Sequence, residues 1–192
     1  MGKNKDTVRE RIIQTTTQLI IENNEIKDIT IREIAAKSKV GVGSINYHFQ
    51  TKENLIDICI LRIISQFINE IEKLYENLDL NPIDKLRYVF KTMSSFLVQN
   101  PSISKTSMIL DLNTATLNDN THQASNLHFK ALKDFYGEQK NDYEIFVILH
   151  IIMSSIQVAF LRNNTIKADA GLDFFDEDQR DYFIDNLIDR II

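Results

Sequence analysis

Val40-Gly41-Val42-Gly43-Ser44-Ile45-Asn46-Tyr47-His48-Phe49-Gln50-Thr51-Lys52-Glu53-Asn54-Leu55, residues 40–55, decides how the rest of the chain is read. It holds two of only five glycines in 192 residues, set one residue apart beside a polar and aromatic cluster. On a helical wheel centred on Ile45, Phe49 lies one turn on and shares the inward face, with Val40 in support. Gly43 and Tyr47 then point nearly opposite, flanked by Ser44 and Asn46. The outward face carries one residue without a side chain and three that form hydrogen bonds. A helix lying in a DNA major groove needs that combination of close approach and surrounding donors and acceptors. Gly41 stands at the cap of this helix, where glycine loses only about a few tenths of a kcal/mol against serine.

Working outward, Thr30-Ile31-Arg32-Glu33 forms a capping-box pattern that starts a short helix through Ser38. Ile31, Ile34 and Ala35 face inward on it. Upstream, Val8, Ile12, Ile13, Thr16, Leu19 and Ile20 recur at steps of three and four, the stripe of an amphipathic helix from Asp6 to Asn23. Asn23-Asn24 is its expected stop. Three helices within residues 1–50, the second and third joined by a few residues, fit a helix-turn-helix. Thr30, Tyr47, His48 and Lys52 have the chemistry to hold phosphates through hydroxyl, imidazole and ammonium groups.

These residues resemble the DNA-binding domain of the tetracycline-repressor (TetR) family of bacterial regulators. The match rests on Thr30-Ile31-Arg32-Glu33-Ile34-Ala35, then Val40, Gly43, Ile45-Asn46-Tyr47-His48-Phe49 and Thr51-Lys52-Glu53-Asn54-Leu55. It covers roughly residues 8–56. The resemblance implies that Thr30, Tyr47, His48 and Lys52 hold the DNA backbone, and that residues 42–46, with Val42, Gly43, Ser44 and Asn46, meet base edges. It also implies a helical ligand-binding and dimerisation domain in the rest of the chain, and a bacterial protein that joins the nucleoid when bound to DNA; the opening residues 1–10 show no apolar signal-peptide region, so the cytoplasm is the expected location. The pattern departs at Lys39, where a turn glycine is usual, at Gly41, where serine or threonine is usual, at Glu25, and at Val42, often lysine. A left-handed Lys39 would cost about 1–2 kcal/mol. Val42 cannot donate to guanine, though it can touch a thymine methyl.

Beyond residue 50 the chain is a succession of helices. Thr51 caps a long one reaching about Leu78, apolar on more than one face. Asn81-Pro82 and Asn100-Pro101 each signal a helix start. The stripe Ala124, Leu127, His128, Ala131, Leu132, Phe135 ends before Gly137, a C-cap. Residues 141–163 form a helix that is apolar almost all round, residues 163–173 are looser, and a last helix begins near Asp176. No strand pair or repeat is visible. The fold class is all-α: an N-terminal three-helix domain with the helix-turn-helix at 1–51 and a C-terminal helical domain at 52–192.

Composition bounds the function. A chain 43% hydrophobic and 26% charged buries a core, and its net charge of −5 is uneven. Residues 1–55 hold nine Lys/Arg against seven Asp/Glu, while residues 56–192 hold thirteen against twenty. The single Cys59 excludes an internal disulfide and a multi-cysteine zinc site. The segment 145–161 lacks formal charge but contains His150, Ser154, Ser155 and Gln157 and is shorter than the roughly 20 residues of a spanning helix; it reads as a helix buried in protein. No histidine array suggests a metal and no nucleophile elbow or phosphate loop suggests catalysis, so neither cofactor nor enzyme is expected. Phe90, Met93, Phe96, Met108, Phe129 and Phe146 are candidate lining for a hydrophobic small-molecule effector, neutral or cationic, with Asp111 and Glu144 as available acids. The helices near 141–163 and 176–192 are the expected homodimer interface, which makes a palindromic operator on double-stranded DNA the expected target. The resulting expectation is a ligand-released repressor. The alternative is a helical DNA-binding dimer controlled by a protein partner or by no small molecule.

Overall fold

Side-chain caps divide the chain into helices where its polar residues fall just ahead of apolar stripes. The structure, a computed structural model, describes residues 2–23, 25–114, 116–117 and 119–192, with side chains from residue 7 onward. Among the described residues ten α-helices run in order: α1 (Gly2–Glu22), α2 (Ile31–Ser38), α3 (Val42–Phe49), α4 (Lys52–Asn77), α5 (Pro82–Gln99), α6 (Pro101–Thr114), α7 (Asn120–Tyr136), α8 (Asp142–Leu161), α9 (Asn163–Ala170) and α10 (Glu177–Ile191). Among the described residues there is no strand. Thr30, Thr51, Asn81, Asp119, Asn141 and Asp176 each accept a hydrogen bond from an N–H of the first turn they precede. Each such cap contributes roughly 1 kcal/mol.

Three local expectations change. Asn100 does not cap α6; its amide donates to the Phe96 carbonyl at 3.2 Å and closes α5 instead. Residues 163–170, expected to be loose, form α9. Gly171 ends α9 at φ 72°, and the turn beyond is tied back by Lys167 to Asp173 and by Asn163 to both Asp173 and the Phe174 N–H. That turn lets Phe174 bury itself completely. Half of the Thr30–Glu33 box forms: Thr30 Oγ1 accepts from the Glu33 N–H at 3.2 Å, and no return bond from the Glu33 side chain is present among the described residues. The expected stop at Asn24 lies outside the described residues.

The first core gathers Ile12, Ile13, Leu19 and Ile20 from α1, Ile34 from α2, Ile45 and Phe49 from α3, and Leu55, Ile56, Cys59 and Ile60 from α4. Cys59 is buried, its thiol 3.6 Å from the Ile13 carbonyl, and burial pushes its pKa up to about 11, so it is an inert core group. Arg62 of α4 grips Glu10 of α1 with two nitrogens, tying the first helix to the long one. The rest of α4 (Ile64, Ile68, Ile71, Tyr75) enters a second core with Leu86, Val89 and Phe90 of α5, Leu127, Ala131 and Leu132 of α7, and the inner faces of α8 and α10. Alpha helix α4 therefore belongs to both cores, which explains why its apolar residues cover more than one face.

Helix α8 is long and apolar enough to cross a membrane by length and composition, with mean hydropathy 2.0, yet only 33% of that window is buried within the chain. Ile145, Ile148, Leu149, Ile152, Ile156, Ala159 and Phe160 face inward. Tyr143, Val147, Ile151 and Val158 stand exposed along one outer stripe, with Phe146 at its edge and Tyr182 of α10 also exposed.

Candidate nucleic-acid interface and interior cavity

The turn before α3 is built without its usual glycine. Lys39 takes φ 55° and ψ 47°, a left-handed cap whose N–H reaches the Ala35 and Ala36 carbonyls. Arg11 Nε adds a bond to the Ser38 carbonyl at 2.9 Å, so α1 holds the end of α2 from behind. Gly41 then caps α3 in extended backbone, φ −76° and ψ 151°. At the far end Gln50 sits at φ 66° and ψ −55°, with the Thr51 N–H donating to the Phe49 carbonyl at 2.8 Å. This is a tight γ-turn of the strained, positive-φ kind, and it turns the chain from α3 into α4.

Between these turns Ile45 and Phe49 are buried, at 0% and 3% exposure, and anchor α3 to α1 and α4. Arg9 lies over the Phe49 ring at 5.3 Å. Gly43, Asn46 and Tyr47 are exposed; Ser44 and His48 are half-buried, and Val42 is half-buried against the core. Tyr47 and His48 meet edge to face with ring centroids 5.1 Å apart. A Cβ added at Gly43 would meet nothing within 4 Å. The fold itself therefore does not need a glycine there. Thr30 is exposed at the start of α2, its oxygen engaged in the cap. Lys52 Nζ donates to the Ile29 carbonyl at 3.1 Å, bridging the start of α4 to the segment before α2. All eight residues named from the sequence lie on α3 or at the starts of α2 and α4.

The ligand candidates divide. Phe90, Met93, Phe96 and Met108 line one interior cavity of about 80 Å³ between α4, α5, α6, α7 and α8. Phe129 and Phe146 lie instead on a separate open groove between the α6–α7 connection and α8. Of the two acids thought available, Asp111 is buried and accepts from the Thr121 N–H and hydroxyl at 2.9 and 2.8 Å. Desolvation raises its pKa against those hydrogen bonds. Glu144 completes the capping box of α8 with Asn141. Neither faces the cavity.

Sequence reasoning missed the cavity's polar wall: Ser94, Ser104, Ser107, Asn120 and His128. His128 is 4% exposed, stacks against Phe90 with centroids 4.2 Å apart, and desolvation holds its pKa down to about 4. Its place within the Ala124–Phe135 apolar stripe was the available signal, as was the inward i, i+3 spacing of Ser104 and Ser107.

Residues 12–58 match the family model described as bacterial regulatory proteins, tetR family. No curated protein sequence matches the chain. Among solved structures, the chain is similar to a TetR transcriptional regulator from Rhodococcus sp. RHA1, with TM-score 0.59 and 17% identity over 97% of each chain. It is also similar to Thermus thermophilus FadR in complex with lauroyl-CoA, with TM-score 0.65 and 17% identity over 95% of this chain and 92% of that one. Bacillus subtilis FadR in complex with stearoyl-CoA gives 0.63 and 16% over 95% and 97%. At these identities the likeness concerns the fold.

Proposed function

We propose, for a chain that carries a tetR-family N-terminal domain at residues 12–58 and the full-length fold of solved tetR-family regulators, that it is a homodimeric repressor released from DNA by a small molecule. The observation that carries this reading is the outer face of α3, which offers Asn46 and Tyr47 to solvent around a Gly43 that the fold does not require. In this reading Val42, Gly43, Ser44 and Asn46 meet base edges, while Thr30, Tyr47, His48 and Lys52 hold phosphates. Lys52 does so by exchanging its bond to the Ile29 carbonyl for one to a phosphate.

A second copy of the chain covers the apolar outer stripe of α8. Four apolar residues at steps of four to seven, on a helix two-thirds of whose apolar window is unburied, suit a two-fold helix pairing with α10 alongside. The pairing sets two α3 helices on one duplex about 34–36 Å apart, so the operator is palindromic. Functionally the chain divides into a reading head at 1–51 and an effector and dimer body at 52–192, acting in the cytoplasm.

The cavity connects to the head through two helices. Ile64 and Phe67 of α4 line it, and α4 is bound to α1 through Arg62 and Glu10. Ser104, Ser107 and Met108 of α6 line it too, and two residues before Ser104 the Ser102 hydroxyl accepts from the Ile26 N–H of the head at 3.2 Å. A ligand that swells the cavity displaces both supports and changes the separation of the heads. It need favour the DNA-incompetent state by only a few kcal/mol, about 5 at most, to empty the operator. The acyl-CoA of the FadR relatives is a poor model for this ligand, since a cavity of about 80 Å³ without a lining cation leaves no place for a CoA phosphate. The experiment is selection of bound duplexes from a random pool, followed by titration at rising salt. A palindrome bound with a steep salt dependence supports the reading; absence of salt-sensitive binding to every pool refutes it.

A further inference from the structure

The polar atoms around the cavity have an orientation that specifies ligand chemistry. Asn120 Nδ2 donates to the Ser107 hydroxyl oxygen at 2.8 Å. Asn120, 6% exposed, lines the cavity, and its Oδ1 has no partner among the described residues. The Ser94 and Ser104 hydroxyls, each 1% exposed, are likewise unpartnered. The carbonyl of Ala124 only accepts, so the 2.7 Å contact to His128 Nδ1 places the proton there and leaves Nε2 a lone pair.

Every other lining group is apolar or a neutral amide or hydroxyl, and among the described residues no Asp, Glu, Lys or Arg lines the cavity. An ion would lie there without a counter-charge, which burial penalises heavily. A wholly apolar guest would leave Asn120 Oδ1 and the Ser94 and Ser104 hydroxyls unpaired. A hydroxyl answers both conditions, since it donates once and accepts twice. We propose that this cavity takes a compact uncharged molecule, apolar over most of its surface and carrying a hydroxyl, that is, a small alcohol or phenol. Its O–H donates to Asn120 Oδ1 or His128 Nε2, and its oxygen accepts from Ser94 or Ser104. An apolar cavity of roughly 150 Å³ admits benzene, so at about 80 Å³ a short alcohol enters directly and a ring requires the walls to yield. Met93, Met108 and Met153 supply that yielding wall, because methionine repacks at little cost.

This inference rests on the cavity being the effector site, and its test uses the free full-length protein without DNA, so the two readings fail separately. Melting shifts and calorimetric titration are measured with 2-propanol, phenol, cyclohexanol, benzene, benzoate and benzylammonium at millimolar concentration. Phenol and cyclohexanol raise the melting temperature, benzene binds about tenfold more weakly than phenol, and the two ions produce no shift. Ser104→Ala, which removes a hydroxyl that supports no bond in the free protein, narrows the preference for phenol over benzene while leaving the fold stable. Benzene equal to phenol, a charged probe binding best, or no shift from any probe overturns the proposal. Phenol binding in a protein that never binds DNA leaves this inference standing and removes only the regulatory reading.

Discussion

Gly43→Ala separates what α3 needs in order to fold from what it needs in order to meet DNA. In the free protein the added methyl has open space, with nothing within 4 Å, and the backbone there is helical. Alanine is favoured over glycine in a helix by roughly 0.5–1 kcal/mol, and the lower half of that range applies because Gly43 lies in the first turn. For a domain near 200 residues, each kcal/mol moves the melting temperature by about 2–4 °C, so a rise of about 1–2 °C is expected. In the proposed complex the same methyl projects from the face that approaches the base edges. An unaccommodated methyl at a close contact costs about 1–3 kcal/mol, which weakens operator affinity between roughly fivefold and a hundredfold. Calorimetry of the free protein and fluorescence anisotropy with a selected duplex measure the two effects on one sample. A variant that is more stable yet binds the duplex as tightly as the parent refutes the close approach of α3. A destabilised variant refutes the open space around Gly43.

Other expectations follow from single positions. Lys39→Gly relieves a left-handed residue, gaining about 1 kcal/mol, read as a higher denaturant midpoint with unchanged slope. Gln50→Gly gains a similar amount from the γ-turn, whose strain is of order 1–3 kcal/mol. Below pH 6.5 the unfolded chain protonates His128 while the folded chain, with its pKa near 4, does not. Stability is therefore unaffected by this group above pH 6.5 and falls as pH drops toward 4, by roughly 3 kcal/mol in all. Asp111, whose pKa is raised, acts in the opposite sense, so the comparison is made with His128→Leu, in which the downward slope between pH 6.5 and 4 is lost. Ile151→Glu places a charge in the centre of the exposed α8 stripe; sedimentation should show monomers, and operator affinity should fall with dimerisation, whereas an unchanged dimer would place the interface elsewhere.

The head was legible because its determinants are local. The Thr30 and Thr51 caps, the left-handed demand at Lys39 and the inward pair Ile45 and Phe49 all act within a turn of their own position, and each stands in the structure as its spacing implies. Helix α9 was not legible, because what holds it in place is a return contact from Asp173 and Phe174 to Asn163 and Lys167 that periodicity does not report. The cavity was half legible for the same reason. Aromatic and methionine side chains on α5 and α6 mark a thick apolar layer, and Phe90, Met93, Phe96 and Met108 converge on one space. Phe129 and Phe146 have the same character in sequence but lie on the groove side of α7 and α8. The serines, Asn120 and His128 gain meaning only from neighbours on other helices: Asn120 is oriented by Ser107, thirteen residues away.

The central claim is that the outer face of α3 reads DNA, and repeating the duplex selection with Asn46→Ala tests it most directly. Asn46 is exposed on the face beside Gly43 and can pair with a base edge through both atoms of its amide. Loss of one such pair costs about 1–3 kcal/mol of discrimination at the base it meets. The parental palindrome is expected, with preference lost at one symmetric position in each half-site and the remaining positions intact. The same palindrome recovered with undiminished preference at every position would contradict it.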